Sequence, residues 1–261
     1  MVSKPPQDPQ KSLLTLLEPA RRIVVFSGAG ISTESGIPDF RGPGGVWEKF
    51  DPNEFHIDRF MASAESRRKY WRRNTEMYHA ISQARPNAAH LAVTSLFGVG
   101  RLEAVITQNV DGLHQQAGLP AEQVVELHGS TRWVSCLSCG WRAPREAYQH
   151  RVSADGEAPP CEACGGHTKP ATISFGQGLV PETLRRAAEA TAACDLFIVV
   201  GSSLVVYPAA ALPLEAARRG VPLVIVNQEP TPMDAEAALV LREPAGVVLG
   251  TAVQALGWTP S

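Results

Sequence analysis

Four of the five cysteines fall in two tight pairs, Cys136-Leu-Ser-Cys139 and Cys161-Glu-Ala-Cys164, with Cys161 22 positions after Cys139. Two such knuckles can turn four thiolates toward one tetrahedral ion. Four protein ligands leave no open position, so the chemistry expected is a structural zinc site. A thioredoxin-like redox pair is the rival reading, disfavoured by two pairs in one turn-rich stretch. His150 and His167 stand nearby as substitute ligands that a four-thiol site does not need, and Cys194 reads as a core thiol. A second signal is Gly28-Ala29-Gly30, where the missing Cβ atoms let backbone amides approach a pyrophosphate. Gly28, Gly30 and Gly36 do not have the dinucleotide-fingerprint spacing, and no acidic residue closes a second strand about twenty residues on. Nucleotide binding and an ordinary strand-to-helix turn therefore both stand on these residues alone. A third signal is His128 in Glu-Leu-His-Gly-Ser, an imidazole able to move protons near neutral pH.

These groups need elements to hold them. Short apolar runs at 23–26, 104–107, 196–200, 223–226 and 238–241 do not alternate with polar residues, as expected of strands covered on both faces. Helical patterns at 87–96, 181–193 and 212–219 lie between them, the second with proline in its first turn. Strand, helix and strand in this order predict an α/β fold, a doubly wound, Rossmann-like parallel sheet. Gln108, Asn109, Val110 and Asp111 then follow one strand, Gly201, Ser202 and Ser203 another, and Asn227 and Glu229 a third. Doubly wound sheets bind ligands at such strand ends, although an Asx-rich turn is the plain alternative for each. Two segments break the rhythm, 48–80 with a helix near 64–77, and 131–170 with the cysteines. Together they are expected to form a smaller inserted helical and zinc-binding domain. The core would be 20–47, 81–130 and 171–261, and residues 1–19 a proline-rich tail and a short helix stopped near Pro19.

Composition narrows the class. In 261 residues, 24 Lys and Arg nearly balance 26 Asp and Glu, so no broad basic field exists to collect phosphates, and direct nucleic-acid binding is not expected. The apolar runs are far too short to span a membrane. With no apolar signal core near the start, a cytoplasmic location is the expectation.

The motifs taken together resemble the sirtuin family, the NAD-dependent protein-lysine deacylases. Gly28-Ala-Gly-Ile-Ser-Thr-Glu-Ser-Gly-Ile-Pro-Asp-Phe-Arg41 resembles its first signature, Thr107-Gln-Asn-Val-Asp-Gly-Leu-His114 its second and Leu127-His-Gly129 its third. Gly201-Ser-Ser-Leu204 and Val226-Asn-Gln-Glu229 are similar to its later nucleotide-contacting motifs. The resemblance implies that Ala29, Phe40 and Arg41 belong to the NAD-binding loop. It implies that Asn109 and Asp111 recognise the nicotinamide carboxamide, and that Val247 packs near the adenine. It also implies the reaction. The acyl-lysine carbonyl oxygen attacks C1′ of the nicotinamide ribose and nicotinamide leaves. His128, with Asn109 holding a water or the ribose, then acts as general base through the ribose hydroxyls. The products are free lysine and O-acyl-ADP-ribose. A structural zinc in the cysteine segment accompanies the fold.

Acylated-lysine proteins or peptides are the implied substrates. Ser174-Phe175-Gly176 resembles the segment that pairs with the peptide as an added strand, with Leu204, Val205 and Val206 as the facing edge. Gln177 stands where the family usually has glutamate, which removes one negative charge from that mouth. Tyr70 and Arg73, three apart on the predicted helix, resemble the tyrosine and arginine with which desuccinylase-type members bind an acyl carboxylate; a basic, solvated helix face is the alternative. Two other functions fit parts of the pattern: a mono-ADP-ribosyltransferase or NAD hydrolase using the same pocket, and a non-catalytic NAD- or acyl-lysine-binding module. The sequence does not set the oligomeric state.

Overall fold

The computed structural model describes residues 9–258. In chain order the strands are β1 (Ile23–Ser27), β2 (Leu102–Thr107), β3 (Val124–Glu126), β4 (Gly129–Cys136), β5 (Arg142–Pro144), β6 (Thr168–Thr172), β7 (Leu196–Val200), β8 (Leu223–Val226) and β9 (Leu239–Leu241). The helices are α1 (Pro9–Leu17), α2 (Val46–Lys49), α3 (Ile57–Ala62), α4 (Ala64–Gln83), α5 (Ala88–Gly98), α6 (Leu113–Gln116), α7 (Arg145–Gln149), α8 (Pro181–Ala193), α9 (Ala211–Arg218) and α10 (Ala245–Ala255). Residues 1–8 of the expected tail lie outside the described residues, and α1 takes up the rest of it.

Six strands form one parallel sheet in the order β3-β2-β1-β7-β8-β9. Every residue of β1, β7 and β8 is buried, which explains why these runs do not alternate. In β1, Ile23 and Val25 face a core shared with α1, α5 and α10, while Val24 and Phe26 face one shared with α8 and α9. Each fully buried side chain of this size stabilises the fold by about 1.5–3 kcal/mol. Helix α10 has no counterpart in the sequence reading. Its two glycines and four valines and threonines are poor helix formers. Tertiary burial of Ala245, Val248, Leu249, Ala252 and Val253, at helical spacing, overrides that weak propensity.

The smaller layer is an antiparallel sheet in the order β5-β4-β6, packed with α3, α4 and α7. Phe60, Tyr70, Trp71, Val134 and Tyr148 make its core, and the Trp71 indole donates to the Thr168 carbonyl at 3.1 Å. Ser63 caps α4 by accepting from the Ser66 amide, and the helix runs six residues past its expected end. The boundaries drawn from sequence at 130/131 and 170/171 each fall inside a strand of this sheet, because β4 starts at Gly129 and β6 ends at Thr172.

Candidate active site

Strands β1 and β7 lie side by side although the chain leaves them in opposite directions across the sheet, so their carboxyl ends mark the topological switch point. Three glycines meet there. The Gly30 amide donates to the Gly201 carbonyl at 2.8 Å, and Gly28 donates to Val200 at 3.0 Å. A Cβ on Gly30 would lie 2.7 Å from the Gly201 Cα, and one on Gly201, at φ +62°, would lie 2.2 Å from the Ile31 nitrogen. This crossing requires glycine for its own close approach, whatever it binds. The chain then turns through a 3-10 helix over Ala29–Ser35, one tight turn after another in place of an α-helix.

Asn109 and Asp111, at the end of β2, are brought against that turn and locked to it. The Asn109 amide nitrogen donates to the Gly28 carbonyl at 3.0 Å and approaches the Ser32 hydroxyl at 3.2 Å. Ser32 donates to Asp111 Oδ2 at 2.8 Å, and Asp111 Oδ1 accepts from the Leu113 amide at 2.9 Å. Burial pushes the Asp111 carboxyl up, against the hydrogen bonds from Leu113 and Ser32. Behind Asn109 runs a buried chain of hydrogen bonds. His114 Nε2 lies 2.9 Å from the Ser27 hydroxyl, which donates to Thr107 Oγ1 (2.8 Å), which also accepts from the Asn109 main-chain amide (3.0 Å). Ser32, Thr107 and His114 carry no role in the sequence reading. Ser32 and Thr107 are small hydroxyl residues whose partners come from other elements, and only the fold reveals them.

His128 follows β3. Its Nδ1 lies 3.0 Å from the Gln108 carbonyl, which can only accept, so Nδ1 carries a proton and Nε2 is the basic nitrogen of the neutral ring. Burial pushes the imidazole below its ordinary value of 6.5, opposed by that hydrogen bond. Gln108 also extends its side chain to the Ser202 hydroxyl at 2.8 Å, so one residue ties the base to the end of β7. Ser202 is buried, and its Oγ accepts weakly from Leu204 at 3.3 Å. Ser203 is partly exposed beside it, and Val110 accepts twice from Thr131.

Phe40 and Arg41 lie on the loop after the 3-10 helix. Asp39 accepts from the Arg41 and Gly42 amides, leaving the Arg41 side chain exposed, and Phe40 packs on Trp47 at 5.0 Å. Trp47 also meets Phe55 (5.3 Å) and Phe175 (6.1 Å), so the loop and the Ser174–Gly176 segment share one aromatic cluster. The amide of Ile57 donates to the Phe175 carbonyl at 2.9 Å. A Cβ on Gly176 would strike the His56 ring at 2.3 Å. Phe175 is 43% exposed and Val205 47%. At the β8 end, Asn227 donates to the Glu229 carbonyl at 2.7 Å, and Arg242 binds both main-chain carbonyls. The Glu229 carboxylate stays exposed. Val247 is exposed in the first turn of α10, next to the Gly246 amide that donates to Glu34.

The structure places Tyr70 and Arg73 in different surroundings. Both are buried, so they do not form a solvated basic face. Arg73 pairs with Glu54 and lies over the Phe50 and Phe55 rings, at 4.4 and 4.9 Å. The guanidinium thus already holds a carboxylate of its own chain. Tyr70 stacks edge-on against Phe60 in the small core, three residues but a different neighbourhood away.

The four paired cysteines converge. Their sulfurs all lie within 4.8 Å of one another, Cys136 to Cys164 at 3.6 Å and Cys139 to Cys161 at 3.7 Å. Zinc–sulfur bonds of about 2.3 Å give a tetrahedron with sulfur–sulfur edges of roughly 3.8 Å, so zinc fits. The Ser138 amide donates to the Cys136 sulfur at 3.3 Å, a contact that suits a thiolate ligand. Cys194 is buried apart from them, and burial pushes its thiol up to about 11, the state of an unreactive core group.

A glycine crossing at a switch point, polar strand ends around it and a four-thiol insert define a doubly wound, NAD-binding α/β protein with a structural zinc. The Sir2 family profile matches residues 28–208. The NAD-dependent protein deacetylase 1 of Bradyrhizobium diazoefficiens is 48% identical over 235 residues, 90% of this chain and 91% of that one. The NAD-dependent protein deacetylase of Rhodopseudomonas palustris is 48% identical over 231 residues, 88% and 90% of the two chains. A solved complex of Sir2 with a p53 peptide and NAD+ superposes with a TM-score of 0.85 at 40% identity, covering 95% of this chain and 98% of that one. The chain belongs to the Sir2 family.

Proposed function

We propose that the protein is an NAD-dependent protein-lysine deacylase that forms nicotinamide, O-acyl-ADP-ribose and free lysine. The observation that carries this is the fixed tautomer of His128, whose base nitrogen is set by the Gln108 carbonyl beside the Asn109–Asp111 pair. NAD, when bound, supplies the ribose carbon that accepts the acyl oxygen. Gly28, Ala29, Gly30, Gln108, Val110, Gly201, Ser202 and Ser203 line its site, Asn227 and Glu229 offer groups for a ribose, and Phe40 and Arg41 close over it. Val247, exposed in the first turn of α10, packs near the adenine. Asn109 and Asp111 present a prearranged amide and carboxylate that need no reorganisation on binding. His128 Nε2 draws the proton that frees a ribose oxygen for attack on the acyl carbon. Phe175, Gly176 and Val205 flank the peptide, which pairs with both edges through its backbone.

Relatives named as deacetylases, and Sir2 solved with a propionylated peptide, support small neutral acyl groups as substrates. The Arg73–Glu54 pair supports the same choice, since an acyl carboxylate would have to displace Glu54. The deciding experiment is a panel of acetyl-, propionyl- and succinyl-lysine peptides with NAD, read by mass spectrometry of both products. O-Acyl-ADP-ribose formed in step with free lysine is the expected result. ADP-ribosylated protein without O-acyl-ADP-ribose would establish the transferase, and binding without nicotinamide release the passive module.

A further inference from the structure

Lys169 is 1% exposed in β6 and has no carboxylate partner among the described residues. Its ammonium donates to the main-chain carbonyls of Pro170 (3.1 Å) and Thr172 (2.5 Å), and it stands 5.7 Å from the centroid of the Tyr70 ring. The Tyr70 ring is buried, and the Lys169 charge and the Thr172 and Ser174 side chains act on its hydroxyl. Burial would raise that phenol, but the Lys169 charge and these contacts bring it below its ordinary value. A buried ammonium is costly unless fully hydrogen-bonded, and this one reaches along β6 to the Thr172 carbonyl at the strand's far end.

That strand end joins the two halves of the site. The Ile173 amide donates to the His128 carbonyl at 2.8 Å, and two residues on, Phe175 donates to Phe55 and accepts from Ile57. Between them the Ser174 amide donates to Gln177 Oε1 at 2.8 Å, closing a turn. The sheet alone holds this segment poorly. Gly129 pairs with Thr172 but Val134 with Pro170, so the β4–β6 ladder is interrupted just where the segment begins, and Pro170 has no N–H to give.

We propose that Lys169 and Tyr70 are positioning residues, a buried ammonium–phenol strut that sets segment 172–175 against His128 and so fixes where an acyl-lysine peptide lies relative to the base. This rests on the deacylase reading of the site. Neither side chain touches substrate; both act through the Thr172 carbonyl and the Ser174 turn.

The test uses K169M, which keeps the chain length without the charge, and Y70F, which keeps the ring without the hydroxyl. Both are assayed as full chains with NAD and an acetyl-lysine peptide, with zinc content and thermal midpoint in parallel. Misplacing a bound reactant is expected to raise the peptide KM about tenfold in K169M and about threefold in Y70F, with the NAD KM within about twofold of wild type and zinc stoichiometric. A merely structural role would move both KM values together, and that outcome overturns the strut, as does a peptide KM unmoved in folded variants. Should K169M fail to fold, Y70F decides on the same criteria. A wild type that releases no nicotinamide overturns the deacylase reading and the strut with it, whereas an active wild type with unmoved variants overturns the strut alone.

Discussion

The Nδ1 of His128 donates to the main-chain carbonyl of Gln108 at 3.0 Å, and the Gln108 side chain in turn reaches Ser202. The imidazole is therefore aimed by a main-chain carbonyl. Replacing His128 with Ala should abolish deacylation, a loss of at least about 10²–10⁴-fold for a general base, while leaving NAD binding intact. Calorimetric titration of NAD alongside the peptide assay checks both halves. Full activity in the variant would show that the imidazole is not the base.

Burial lowers the His128 pKa below 6.5, and in the proposed mechanism the neutral ring is the competent form. Activity should hold as pH falls past 6.5 and drop only on a limb below it. A profile of kcat/KM for peptide from pH 8 to 5 gives the answer, and an acid limb centred above 6.5 contradicts a burial-lowered imidazole.

His90 and His114 pack edge to face, at 5.0 Å, with burial pushing them down to about 4 and about 3. Both are neutral in the folded chain and take up protons below about 6.5 when unfolded. The unfolded state then binds more protons, and stability falls as pH drops from 6.5 toward those values. Urea midpoints measured between pH 7.5 and 5 should decline, less steeply in His114→Gln, which removes one of the two titrating rings. A flat midpoint in wild type would refute the coupling.

A zinc on the four thiols would hold β4 to the turn at Cys161–Cys164, and the segment that follows β6 of the same sheet carries the contacts to His128 and Phe55. Cys164→Ser should lose the metal, lower the melting temperature by roughly 2–4 °C for each kcal/mol lost and weaken peptide binding with it. Metal analysis and a thermal melt suffice. A zinc-free variant with wild-type activity would separate the metal from the site.

Arg73 pairs with Glu54 under the aromatic cluster. Arg73→Ala should cost about 1–3 kcal/mol of stability through lost packing and an unpaired carboxylate and slow acetyl- and succinyl-lysine alike. A loss confined to succinyl-lysine would instead make Arg73 an acyl-carboxylate receptor.

Gly201→Ala places a methyl 2.2 Å from the Ile31 nitrogen at a left-handed φ. The crossing must open, at about 1–3 kcal/mol, and NAD affinity should fall further than stability does. Equal NAD affinity in the variant would show that the crossing is structural only.

The sequence by itself determined the parallel sheet and the zinc ligands. Apolar runs such as Leu196–Val200 carry their burial in composition, and two CxxC pairs carry a ligand set in spacing alone. It also marked Asn109, Asp111 and His128, because local motifs preserve the order of a site. Helix α10 was not legible, since its burial outweighs residues that disfavour helix. The partners of Ser32 and Lys169 were not legible either. A hydrogen bond between residues 79 apart has no signature in spacing. Tyr70 and Arg73 show the same limit from the other side: three apart on one helix, they diverge into a hydrophobic core and an ion pair. Helical spacing places two side chains on one face, but what that face meets is decided by the packing of distant elements, which only the tertiary structure supplies.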